Sequence, residues 1–420
     1  MNTVSETRLR EDLEANGEFG ATDANEGRGR TVLCGTEANY RAREYLRERM
    51  QAAGLEVVVD AVGNIAGRWD PPSADSRAAP VAAGSHLDSV PEGGIFDGPL
   101  GVYAALEAVR AIQETGVEPI RPLLVVSFTE EEGGRFGSGL LGSSVATGQL
   151  GAEEALLLRD DEGTTLREGL AQMDALGPKP LDARAWDAWL ELHVEQGTRL
   201  ASAGIPAGVV TTISGISHFE TVIEGVADHA GATPMDARRD ALAAAAEVVS
   251  DVERAGRELA AGKSESAVAT VGSLEVEPNT TNVVPGRVTL GVDLRDIERG
   301  TMDALAARLE GSLDRVAEER AVRTRLQCHL DVDPAPTAER CRRALHAGAE
   351  TAGVGTLELH SGAAHDTMHV ARVTDAGMLF APSRDGISHN PREWTDWDEC
   401  AAATRVLASA LAELAKGQVS

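Results

Sequence analysis

The chain has 420 residues, 42% of them hydrophobic, and a formal charge of -28 from 67 acids against 39 bases. It is too long for one ordinary core and apolar enough to build two. The acidic balance speaks against nucleic acid or an anionic membrane as a partner, because both attract basic surfaces.

The acids are dispersed along the chain and form no tail; Lys179, Lys263 and Lys416 are the only lysines, and arginine supplies the other bases. Such a surface reads as a solvation device for concentrated salt, where repulsion between like charges is screened, and suggests a halophilic protein. Cys34, Cys328, Cys341 and Cys400 have no paired metal-binding spacing and read as reduced thiols. The Glu- and Arg-rich N-terminus lacks the apolar core of a signal peptide, and no stretch is apolar enough to span a bilayer, so the expected location is the cytoplasm.

In chain order, the turn-rich segment 71–76 leads into the apolar run Pro80-Val81-Ala82-Ala83, short enough for a buried strand, with His86 and Asp88 just past its end. A helix is predicted to start at Pro99, directly after Asp97 and Gly98, with apolar residues at helical spacing as far as Val109 and Ile112. Residues 122–128 form an apolar strand that runs into Glu130, Glu131 and Glu132. Residues 189–194 read as a third strand ending on His193, and residues 377–381 as another, upstream of His389. Strands alternating with helices predict an α/β fold with a mostly parallel sheet, in which ligands gather outside the carboxyl ends of the strands.

Between residues 213 and 329 the pattern changes. Strands are expected at 219–225, 267–271, 288–294 and 324–330, and helices at 234–259 and 302–321. That strand-helix-strand-strand-helix-strand order is the split βαβ unit of a ferredoxin-like α+β domain. It reads as an insertion, so the expected organisation is a catalytic domain in two parts, 1–212 and 330–420, around an inserted domain, 213–329.

Five segments bring an acid or an imidazole to the end of an apolar run: Gly-Ser-His86-Leu-Asp88, Phe-Asp97-Gly, Thr-Glu130-Glu131-Glu132-Gly, Glu-Leu-His193-Val-Glu-Gln196-Gly and Gly-Ile-Ser-His389-Asn. Divalent cations take neutral imidazoles and ionised carboxylates, and a pair of cations needs one carboxylate to bridge them. Each residue also has a plain structural account. His86 and His389 could be turn histidines, Asp97 the N-cap of the following helix, and His193 a core histidine. The three glutamates are harder to dismiss, since charges at the end of a fully apolar strand are costly without a cation. The joint placement of all five segments favours a two-metal hydrolase, because five independent structural accounts would otherwise have to hold together.

These segments, together with His229-Ala-Gly-Ala-Thr-Pro-Met, resemble the dinuclear-metal amidohydrolases of the M20 peptidase superfamily, in its amidase/hydantoinase/carbamoylase branch. The likeness runs from about residue 15 to the C-terminus. It implies that His86, Asp97, Glu132, His193 and His389 bind two divalent ions (Zn, Mn, Co or Ni), with Asp97 bridging, Glu131 as general base and Asp88 as the partner of His86. In the inserted domain it implies that His229 reaches a substrate oxygen, that Asn282 lies in the substrate site and that Arg295 clamps a carboxylate, for which its planar fork is suited. Gln196 and His365 are further substrate-site candidates. His218 is another, standing where allantoate-specific members tend to have arginine; Ala364 stands where the family commonly has glycine. The resemblance further implies a lid that closes on substrate and pairs into a homodimer. The expected substrate is a small ureido or amide compound with a carboxylate, first an N-carbamoyl-L-amino acid. Allantoate amidohydrolase and β-ureidopropionase are the near alternatives, and a metallo-peptidase or a non-catalytic small-molecule binder the distant ones.

Overall fold

The computed structural model describes residues 3–116 and 118–416. The chain divides into two compact units. One contains the described residues up to Thr211, residues 336–359 and the described residues from His365 onward; the other contains residues 212–335 and 360–364.

The first unit is built on a mixed sheet. Four strands at its centre, Leu123–Phe128, Val81–His86, Ala188–Val194 and Asp375–Ala381, lie side by side and parallel. Antiparallel strands flank them: Ile65–Trp69 and Glu56–Val59 beyond Leu123–Phe128, and Ala207–Ile213 beyond Asp375–Ala381. The central strands read as continuous apolar runs because both of their faces are covered. On one side Leu100, Tyr103, Leu106 and Val109 of the helix Pro99–Thr115 pack with Leu190, Leu192 and the helix Trp397–Ala415. On the other, Trp189 stacks on Trp186 and tilts against Phe128. Among the described residues no helix is long and apolar enough to cross a membrane.

The expected helix start at Pro99 is observed, but Asp97 is not its cap. The N-cap is Gly98, at φ 82°, with no side-chain cap bond, so the Asp97 carboxylate is left for other work. All four cysteines are free.

The second unit is a four-stranded antiparallel sheet in the order Arg323–Val332, Gly215–Glu224, Arg287–Asp296, Val268–Glu277, with helices Ala241–Gly262 and Arg299–Arg320 packed on one face. This is the strand order and connectivity of a ferredoxin-like unit. Strand Arg287–Asp296 alternates strictly, sending Val288, Leu290, Val292 and Leu294 into the helix-facing core. Asp293 and Arg295 therefore point to the face that carries no helix. Two expectations need correction. The first helix starts at Ala241, not at 234, because Asp240 caps it by accepting from the N–H groups of Leu242 and Ala243, while residues 235–237 make only a 3-10 turn. The unit also extends past 329: its last strand runs to Val332, and residues 330–335 and 360–364 belong to it.

Gly84 allows the strands that carry the site to come together. A Cβ at that position would lie 1.8 Å from the Val126 carbonyl oxygen on the neighbouring parallel strand. Gly84→Ala is expected to force the two strands apart at a cost of about 3 kcal/mol. A lowered urea midpoint would register the strain; an unchanged one would show that the strands yield freely.

Candidate metal centre

Because neighbouring parallel strands end together, His86 and Phe128 face each other in register and the residues that follow them emerge at one edge. His193, one strand over, stacks its ring on that of His86 with centroids 5.9 Å apart. Asp97 arrives from the loop before the Pro99 helix, the glutamates from the turn after Phe128, and His389 from the loop after Asp375–Ala381.

Among the described residues, three sets of donors come within ligand reach of one another: His86, Asp97 and His193; His86, Glu131 and Glu132; and Asp97, Glu132 and His389. Asp97 sits at the centre. Its Oδ1 is 3.1 Å from His193 Nε2 and 3.6 Å from His86 Nε2, and its Oδ2 is 3.4 Å from His389 Nε2. Glu132 Oε2 lies 3.4 Å from that same His389 nitrogen, and Glu131 Oε2 lies 3.6 Å from His86 Nε2. His86, Asp97, Glu131 and His193 are buried, whereas the His389 side chain is 50% exposed.

The imidazoles are oriented by backbone. His86 Nδ1 is 3.1 Å from the Asp88 carbonyl oxygen and His193 Nδ1 is 3.0 Å from that of Val194. A carbonyl only accepts, so both Nδ1 atoms carry hydrogen and both Nε2 atoms are turned to the carboxylates. Neither buried Nε2 has an aligned hydrogen bond, and Glu132 Oε1 has no partner either. Inward-facing donors of this kind, two imidazole nitrogens among carboxylate oxygens, fit a divalent cation. Gly98 makes room for them, since a Cβ there would lie 2.4–2.7 Å from ring atoms of His86.

Electrostatics points the same way. Burial pushes Glu131 well above the usual carboxylate range, with the His86 ring opposing and the charges of Glu132 and Asp366 adding to it. Burial and then Asp97 push Glu132 up to about 8. Burial should lower His86, but Glu131, Asp97 and Asp88 together drive it well above its ordinary value. Glu131, Glu132 and His86 are raised in part by the carboxylates crowded around them, a repulsion that a cation would offset.

Several expected residues have more specific places than the sequence suggested. The Asp88 carboxylate does not hold the His86 ring: its Oδ1 is 3.8 Å from Nδ1, the backbone carbonyl makes the bond, and Oδ2 accepts from Glu132 N at 3.1 Å. Gln196 donates from Nε2 to Asp97 Oδ2 at 2.7 Å, so that its amide serves the bridging candidate directly. His365 is buried with its ring 4.4 Å from that of His193, and burial holds it well below its ordinary pKa.

The other candidates lie in the second unit. There His229 Nδ1 accepts from Gly231 N and Ala232 N, and Val283 pairs with His229 on a short strand pair, with Asn282 just before it and its carbonyl accepting from Ala230 N. Arg295 donates from Nε and Nη2 to Asp293 and from Nη1 to the Gly362 carbonyl, and His218 Nε2 meets Asp293 Oδ2 at 2.8 Å. Asp296, the next residue along, is buried and accepts from the hydroxyls of Ser264 and Ser266.

Sequence reasoning missed the residues that surround and hold the candidate ligands. Ser388 donates toward Asp97 Oδ2 at 2.7 Å, and Glu393 accepts from the N–H groups of Phe96 and Asp97. Glu191, two residues before His193, is bound by Ser85 and by Thr367 through both its N–H and its hydroxyl. Glu130, Gln196 and His389 take left-handed φ values of 54°, 57° and 53°, a clustering common where a site constrains the backbone.

The sequence pattern of peptidase family M20/M25/M40 matches residues 82–413. An N-carbamoyl-L-amino acid amidohydrolase from Geobacillus stearothermophilus is 39% identical over 406 residues, 96% of this chain and 97% of that protein. An allantoate amidohydrolase from Bacillus subtilis is 33% identical over 389 residues, covering 92% and 93%. The crystal structure of an amidase of the hydantoinase/carbamoylase family from Burkholderia multivorans superposes with a TM-score of 0.92 at 35% identity, over 99% of both chains. The chain belongs to peptidase family M20/M25/M40, and within it to the hydrolases that cleave carbon–nitrogen bonds in linear amides.

Proposed function

We propose that this protein removes the carbamoyl group from an N-carbamoyl-L-amino acid, giving the amino acid, ammonia and carbon dioxide. The observation that carries the reading is Asp97, placed with one oxygen toward His86 and His193 and the other toward His389. The choice of substrate rests on the higher identity to the carbamoyl-amino acid enzyme than to the allantoate enzyme.

The donor set fits two divalent cations that share Asp97, one with His86 and His193 and the other with Glu132 and His389. Zinc, manganese, cobalt and nickel all accept such mixed ligands. When bound, the pair supplies Lewis acidity and a water acidic enough to attack at neutral pH. Glu131 would take the proton of an attacking water as its oxygen bonds to the ureido carbon, and would give it to the amine nitrogen as the carbon–nitrogen bond breaks. The carbamate left behind breaks down to ammonia and carbon dioxide. His229 is ready to act as a donor: because its Nδ1 accepts two backbone N–H groups, its proton sits on Nε2, free to meet a developing oxyanion. Arg295, braced by Asp293, offers its remaining N–H groups to the substrate carboxylate.

Three measurements test this reading. Metal-stripped protein should release ammonia from N-carbamoyl-L-amino acids only after Mn²⁺, Co²⁺ or Zn²⁺ is restored, and more slowly from allantoate or N-carbamoyl-β-alanine; silence across the panel in folded, metal-loaded protein would remove the carbamoylase assignment. Glu131→Gln should keep its metal and lose about 10²- to 10⁴-fold in kcat, the usual yield of general base catalysis. Metal affinity should also depend on pH with a known sign. With its pKa near 8, Glu132 holds a proton at pH 7 that a cation must displace, so affinity climbs as pH rises toward 8 and weakens as it falls. Affinity that is flat between pH 6 and 8 would contradict this role for Glu132.

A further inference from the structure

The loop that carries Asp97 and the loop that carries His389 are almost three hundred residues apart in sequence, yet one side chain ties them together. Glu393 is buried, and its Oε1 accepts from Phe96 N at 2.9 Å and from Asp97 N at 3.0 Å. Its Oε2 meets Ser388 Oγ at 2.7 Å, and that hydroxyl is also 2.7 Å from Asp97 Oδ2. One carboxyl group therefore fixes the backbone of the central carboxylate and, through the neighbour of His389, the carboxylate itself.

The fit is built on both sides. Gly94 leaves the space that Glu393 fills, since a Cβ there would lie 2.2 Å from Glu393 Oε1 and 2.5 Å from its Cβ. Beside this polar clasp is an apolar one: the Phe96 ring packs against Trp394 and Trp397, with centroids 5.4 and 5.2 Å away. His389 needs such support, because its own side chain is half exposed and its backbone is in the left-handed region. By contrast His86 and His193 sit at strand ends, held by sheet pairing and by their own carbonyl contacts.

We propose that Glu393 is a positioning residue that sets the spacing of Asp97 and His389, and so governs one of the two cation positions, that of Asp97, Glu132 and His389. The position of His86 and His193 depends on it far less. This inference rests on the paired-cation reading above.

The test is the number of equivalents of Mn²⁺ or Zn²⁺ retained at equilibrium dialysis over a range of free metal, for the full-length protein and its variants. Wild type should hold two. Glu393→Ala strands the N–H groups of Phe96 and Asp97, and should lower the affinity of one equivalent by about 10- to 100-fold, the usual effect of losing a residue behind a ligand, while the other stays within a few-fold. Glu393→Gln keeps an acceptor oxygen for both N–H groups and should restore the second equivalent, which a general loss of folding would not allow. If the alanine variant does not fold, Glu393→Asp, too short to span both loops, makes the same comparison. Two equivalents held at wild-type affinity in Glu393→Ala, or equal weakening of both, would overturn the proposal while leaving the metal reading intact. A wild-type protein that holds fewer than two would remove the paired-cation reading and this inference with it.

Discussion

Asp97, Glu131 and Glu132 are crowded against two imidazoles in a space that water barely enters, and this crowding governs the rest of the molecule. Carboxylates removed from water repel one another strongly and keep their charge only when positive charge is shared among them. The raised positions of Glu131, Glu132 and His86 express that demand from three directions. Asp97 answers differently. Although burial acts to raise it, His193 and His86 hold it well below the usual range, so it is the acid in the group that stays ionised most readily. That suits the one carboxylate lying between the two histidine groups.

Donors this close together need fixed starting points. The parallel centre of the sheet supplies the precision, because its strands end in register and start the site residues from neighbouring points. Glycines let the pieces approach, at Gly84 between strands and at Gly98 beneath the His86 ring. Backbone carbonyls then set the imidazoles, a stiffer arrangement than side-chain partners because a carbonyl at a strand end has no rotamers to lose.

The sequence made the strand ends legible because apolar runs of strand length finished on residues with no business in a core. That contradiction singled out the segments of His86, Glu131, Glu132, His193 and His389 as a candidate site, and the family resemblance supplied the separate role expected of each. The split βαβ unit was legible through its alternation, although its first helix start was misplaced, since Pro234 reads as a helix-start signal ahead of the true cap at Asp240. What could not be read were bonds made by backbone. The Asp88 carbonyl does the work that its carboxylate seemed suited to, and no residue identity encodes that choice. Glu393, and the hold that Gln196 has on Asp97, were obscure for a related reason. Each holds a neighbour through contacts that span long stretches of sequence, and neither belongs to a periodic pattern.

The charge of -28 sets one more requirement, because the proposed substrate is itself an anion. Long-range attraction cannot bring it in, so recognition must be local. At physiological salt the Debye length is about 8 Å and at 1 M about 3 Å, which confines both repulsion and attraction to near contact. Arg295, which we propose takes the substrate carboxylate, has the geometry for that regime. Asp293 takes two of its nitrogens and the Gly362 carbonyl a third, fixing the plane of the guanidinium before any ligand arrives. His218 on the same carboxylate offsets more of the Asp293 charge. The ion pair that looks like an ordinary surface contact thus does for a cation what the sheet does for the metal ligands: it removes orientational freedom in advance, so that a short-range bond can form without first ordering its donor.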